Sequence, residues 1–170
     1  NMGLRNTLKY KNLSMSFLFD MQQGGKYFST SHMWGMYSGM LEESALGGNR
    51  EAGVVLAGVK ENGQPNDILL DAATWGASYY NTVDAQNVFD ASYIKLRDLT
   101  IGYDLPKSII GNTLQGVRVS FFGRNLKTWF ADQQHFDPEY LQMAGSNAQG
   151  VEGGYLPSVA TYGVGVNFNF

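Results

Sequence analysis

The sequence predicts an all-β chain whose antiparallel strands form part of a transmembrane β-barrel with long outer loops. Three observations lead there. Four stretches alternate apolar and polar residues with a period of two, as a strand with two different faces must. Each stretch runs for about 10–13 residues, near the ~9–11 of a tilted membrane strand and beyond the ~5–6 usual in soluble sheets. The composition agrees: of 170 residues only 16% are charged, 14% are aromatic, and 21 are glycine. No stretch approaches the ~20 apolar residues of a membrane-spanning helix.

The first strand is expected over about 8–20. Leu13, Met15, Phe17 and Phe19 share one face, opposite Asn12, Ser14, Ser16 and Asp20, with Leu18 out of pattern. The second, about 92–105, sets Leu99, Ile101, Tyr103 and Leu105 against Asp98, Thr100, Gly102 and Asp104. The third, about 115–126, sets Val117, Val119 and Phe121 against Arg118, Ser120 and Arg124, with Phe122 out of pattern. The last, about 159–170, is the cleanest: Tyr162, Val164, Val166, Phe168 and Phe170 oppose Thr161, Gly163, Gly165, Asn167 and Asn169. A membrane barrel turns the apolar face to lipid and the polar face to its lumen, which makes Asp98, Asp104, Arg118 and Arg124 lumen-facing. The alternative is a secreted carbohydrate-binding β-sandwich, in which a second sheet buries the same apolar faces.

The connections alternate in length. The first (about 21–91) and third (about 127–158) are long, and the second, beginning at Leu105-Pro106-Lys107, is short. Outer-membrane barrels have long outer loops and tight periplasmic turns. A last strand descending to the periplasm puts both long loops outside. Four strands cannot close such a barrel, so the expectation is the C-terminal part of a longer chain. Within the first loop, 30–41 is a weak candidate for a short amphipathic helix.

Chemistry-bearing residues are few. Without cysteine there are no disulfides, thiolate zinc sites or cysteine nucleophiles. A net charge of −3 argues against a nucleic-acid partner. His32 and His135 fall in different loops and read poorly as a metal or catalytic pair. Asp137-Pro138-Glu139 invites an acid–base reading, as in a surface hydrolase, but reads better as a turn. The Gly-Gly pairs lack the strand–helix setting of a phosphate loop. No cofactor is expected. Trp34, Tyr37, Trp75, Tyr79, Tyr80 and Trp129, with His135, are candidates for shaping a substrate chamber, because exposed aromatics supply apolar area with a polar handle. Packing the loops is the plainer role for any one of them. By parity Lys95 and Arg97 point outward with Leu99, at the height of lipopolysaccharide phosphates; they read equally well as ordinary solvated charges at the strand's edge. Lys9 and Lys11, at the other end, are placed to snorkel from the interface.

The run from Asp90 through Ser92-Tyr93-Ile94-Lys95-Leu96-Arg97-Asp98-Leu99-Thr100 to Leu105-Pro106 resembles the late-strand signature of SusC/RagA-type TonB-dependent outer-membrane transporters. Gly123-Arg124-Asn125-Leu126, Phe136-Asp137-Pro138-Glu139 and Leu156-Pro157-Ser158 follow in that family's order. Upstream, Tyr10-Lys11-Asn12-Leu13-Ser14, Gly24-Gly25-Lys26 and Gly53–Val59 also fit. Ala160-Thr161-Tyr162 stands where family members often carry Arg, and Leu156 where Tyr or Phe often precedes the proline. The resemblance implies a plugged barrel of the 22-strand class in the outer membrane of a Gram-negative bacterium, with plug and TonB-contacting segment outside this chain. It implies transport, not catalysis: oligosaccharide or peptide import, energised through TonB, with a SusD-like surface lipoprotein as partner. The remaining expected partners are outer-membrane lipid and lipopolysaccharide. The alternation Tyr162, Val164, Val166, Phe168, Phe170 also resembles the signal read by the barrel-assembly machinery.

Overall fold

The computed structural model describes all of the chain except residues 112–113, 133–135, 140, 142–149 and 157. Ten strands occur among the described residues: β1 (Met2–Tyr10), β2 (Leu13–Gln22), β3 (Lys26–Ser29), β4 (Val54–Val55), β5 (Leu69–Leu70), β6 (Val88–Asp90), β7 (Tyr93–Asp104), β8 (Gly116–Trp129), β9 (Val151–Glu152) and β10 (Thr161–Asn169). The chain divides into two compact units. One comprises Asn1–Gly25, Asp90–Glu139 and Leu156–Phe170, and the other Lys26–Phe89 with Tyr140–Tyr155.

The first unit is built on one open antiparallel sheet in the order β1-β2-β7-β8-β10. Its five long strands replace the four expected. The run expected as a single strand over 8–20 is a hairpin, with Tyr10 opposite Leu13 and the turn at Lys11-Asn12. Lys11 takes a left-handed φ of 50° there. The reason is a change of phase: apolar Met2, Leu4, Leu8 and Tyr10 are even-numbered, whereas Leu13, Met15, Phe17 and Phe19 are odd. A strand cannot switch faces at one step, but a two-residue turn restores the match, setting Leu4 opposite Phe19 and Leu8 opposite Met15. Lys9 therefore lies on β1 and Lys11 in the turn. The β7–β8 connection, with a short helix at Lys107–Ile110, leaves from the same end of the sheet. Both long connections leave from the opposite end.

The two faces differ as the alternation requires. Ile101 is 37% exposed, Phe121 39% and Val166 48%. In a sandwich those side chains would be buried under a second sheet, and among the described residues no layer covers them.

The polar face also explains two glycines and an apparent exception. Phe122 pairs with Gly163, and a Cβ on that glycine would run into the Phe122 ring. Gly102 similarly leaves room for the Arg118 guanidinium. The small residues let large side chains of a neighbouring strand lie flat across the sheet.

The second unit carries the helix α1 (Thr30–Ser38), three residues shorter than expected at its end. The Ser29 hydroxyl caps it by accepting from His32 N–H at 3.0 Å, and Gly39 (φ 69°) ends it in the left-handed conformation. Two small sheets, β6-β3-β9 and β4-β5, complete the unit. No helix among the described residues is long and apolar enough to cross a membrane.

Candidate functional site: the polar wall and its charge cluster

Two irregularities of pairing shape the polar face. Leu18 pairs with Asp98 and Phe19 with Leu96, so Arg97 is an extra residue of β7 opposite β2. On the other side Leu96 pairs with Lys127 and Asp98 with Arg124, which leaves an extra residue in β8 beside Asn125, itself at φ 50°. A bulge of one residue transfers every side chain beyond it to the other face. Simple parity thus fails for Tyr93, Lys95 and Arg97. They do not point outward to lipopolysaccharide. Lys95 is 3% exposed, opposite Asp20 in β2.

There it anchors a cluster of charges. Lys95 Nζ donates to Asp137, and to Glu139 Oε2 at 2.6 Å. Arg97 donates to the same Glu139, and through Nε and Nη2 to Asp20 Oδ2 at 3.1 and 2.7 Å. Tyr93 OH donates to Glu139 Oε1 at 2.8 Å, and Ser158 Oγ to Asp137 Oδ2 at 2.7 Å. Burial raises the Glu139 pKa, but the hydrogen bonds from Arg97, Lys95 and Tyr93 prevail and bring it down to about 2. Asp137-Pro138-Glu139 is a turn, closed by Glu139 N–H donating to Asp137 Oδ1 at 3.1 Å. Both of its carboxylates are committed to cations, which leaves neither as a free acid or base.

Below the bulges the expected lumen-facing residues share the polar face. Asp98 opposes Arg124 and Asp104 opposes Arg118. Arg118 donates to Asp104 at 3.1 Å and also to Ser14 Oγ, whereas Arg124 and Asp98 stay 3.5 Å apart and well exposed. An open depression of about 470 Å³ lies between Asp20, Arg97, Asp98 and Arg124.

The chamber candidates separate. In the second unit, Trp34 and Tyr37 are exposed on α1, edge to face with centroids 5.5 Å apart. Trp75 is buried against Tyr80 at 5.5 Å, and Tyr79 meets Tyr80 at 5.6 Å. Those three form a packing cluster. Buried His32 bonds through Nδ1 to Asn87 Oδ1 at 3.0 Å, edge to face with Phe89. Trp129 is the last residue of β8, opposite Ile94 and 6.1 Å from the Phe19 ring, so it sits on the apolar face. His135 lies outside the described residues. No group of acidic residues and histidines suited to a metal ion occurs among the described residues.

Sequence reasoning did not single out Asp20, Tyr93 and Ser158 as one site, nor the buried Glu152. Glu152 accepts from Ser29 Oγ at 2.5 Å and from Ser31 Oγ at 2.7 Å, at the start of α1. Glu152 and its partners Ser29 and Ser31 lie more than a hundred residues apart and leave no local signal.

Comparison with known proteins agrees with this architecture. The chain is 31% identical over 175 residues to TonB-dependent receptor P3 of Formosa agariphila, covering 99% of this chain and 16% of the relative. The chain is thus similar, over nearly its whole length, to a segment of TonB-dependent receptors. TonB-dependent receptor P26 of the same organism is 27% identical over the same share of each. The fold matches the RagAB peptide importer in its open-open state, with a TM-score of 0.61 and 21% identity, covering 99% of this chain and 17% of that one. The closed-closed state matches with a TM-score of 0.59 and 20% identity, over 95% and 16%. No family model matches. The chain thus spans about a sixth of the receptors it resembles, which are receptors and an importer, not enzymes.

Proposed function

We propose that this chain forms part of the barrel wall and outer loops of a TonB-dependent importer in the outer membrane of a Gram-negative bacterium. The barrel is of the plugged, 22-strand class. It takes up oligosaccharides or peptides as the SusC-like half of a complex with a SusD-like surface lipoprotein, with energy passed through TonB. The observation that carries this reading is the uncovered apolar face of a five-stranded antiparallel sheet whose other face is charged. Hydrocarbon satisfies the first face and a wet lumen the second. An open sheet in hydrocarbon leaves unpaired edge groups, at several kcal/mol each, so β1 and β10 pair with further strands of the barrel.

Trp34 and Tyr37, exposed on α1, are the side chains best placed to stack on a sugar ring or peptide side chain. At the outer end of the apolar face, Lys127 stands two residues before Trp129, and this lysine takes the lipid-phosphate contact that parity gave to Lys95 and Arg97. The apolar side chains of β10, with Phe170, serve the barrel-assembly machinery by edge pairing.

The test is uptake in a strain lacking the full-length receptor. Complementation should restore import of a labelled oligosaccharide or oligopeptide, and removal of TonB should abolish it. Import that persists without TonB contradicts the reading. Whichever ligand class is restored decides between glycan and peptide.

A further inference from the structure

We infer that Lys95 and Arg97 are positioning residues for import, acting as a clamp that holds the Asp137-Pro138-Glu139 turn after β8 against the polar wall. The inference rests on the transport reading above. Its basis is the bulge at Arg97, which turns two cations of β7 from the apolar face to the polar one at the height where the loop after β8 begins. Lys95 thereby reaches carboxylates instead of lying among the apolar side chains of that face. On the polar face it meets Asp137 and Glu139, and Arg97 ties Glu139 to Asp20 of β2. Lys95 and Asp137 are almost wholly buried, with side chains 4% and 7% exposed.

A buried, hydrogen-bonded ion pair differs from a surface pair. Removing one member leaves the other unpaired in a poor solvent, and so the pair resists opening. Ser158 Oγ bonds Asp137 from the far end of the same loop, just before β10. Asp137 therefore joins Lys95 of β7 to Ser158 before β10. A turn so held is ordered before substrate arrives, and the entropy of ordering it does not weaken capture. The cluster acts on substrate through that turn, so it should govern capture more than turnover.

The experiment uses the full-length receptor in cells with isosteric variants Asp137→Asn and Glu139→Gln, singly and together, and the conservative Lys95→Arg. Loop mobility is read by maleimide labelling of a cysteine introduced as Ala131→Cys, against the same receptor without it. The double variant should reach the surface at wild-type level and label several-fold faster. It should raise the apparent KM for uptake about fivefold or more and leave the maximal rate within twofold. Lys95→Arg should stay near wild type on all three.

Faster labelling with unchanged KM would overturn the positioning role, and unchanged labelling would overturn the clamp. Should both isosteric variants fail to reach the surface, the cluster is a folding determinant and the inference is wrong. Wild-type receptor that imports nothing would instead sink the transport reading.

Discussion

At the scale of the residue, Glu139 gives the sharpest test, because three donors hold one carboxyl well below its ordinary value. Its folded pKa of about 2 lies under the usual 4.5. A carboxyl depressed in this way stabilises the folded loop above pH 4.5, and that contribution is lost as pH falls from about 4.5 towards 2. The mobility of a nitroxide attached beforehand at Ala131→Cys should rise across that window, and Glu139→Gln should flatten the response. Gly163 gives a second test. Its missing Cβ makes room for the Phe122 ring, so Gly163→Val should destabilise the sheet by about 1–3 kcal/mol through overpacking. Loss of the heat-modifiable folded band at lower temperature would measure it, and an unchanged transition would mean that Phe122 moves aside freely.

At the scale of the element, the long strands were legible and their irregularities were not. Period two identified Leu99 through Tyr103, Val117 through Phe121 and Tyr162 through Phe168, because each repeats over several residues and lateral pairing reinforces it. The hairpin at Lys11-Asn12 was legible in principle. Its signal is the switch of apolar parity between Tyr10 and Leu13. The bulge at Arg97 was not legible, since a single extra residue is defined only by the partner strands. It reverses the face of Lys95, and with it the meaning of Asp137 and Glu139. Long-range pairs such as Ser29 with Glu152 were equally invisible. For β10 the expected consequences are concrete. Val164→Arg places a charge on an apolar side chain that is 70% exposed, and should cost about 2–4 kcal/mol if the site lies near the bilayer midplane. Deleting Phe170 from the full-length receptor should lower surface levels, and unchanged levels would remove the assembly role.

At the scale of the whole molecule, the account depends on which medium meets each face of the sheet. Oxygen and a water-soluble nickel chelate partition oppositely between bilayer and water, and a nitroxide reports both. Spin labels at Ile101 and Val164, and at Thr100 and Ser16 on the opposite face, should be introduced one at a time into the full-length receptor in lipid. The account predicts oxygen-dominated relaxation at Ile101 and Val164 and chelate-dominated relaxation at Thr100 and Ser16. If Ile101 and Val164 are closed to both reagents, protein covers the apolar face, and the membrane-wall reading is wrong.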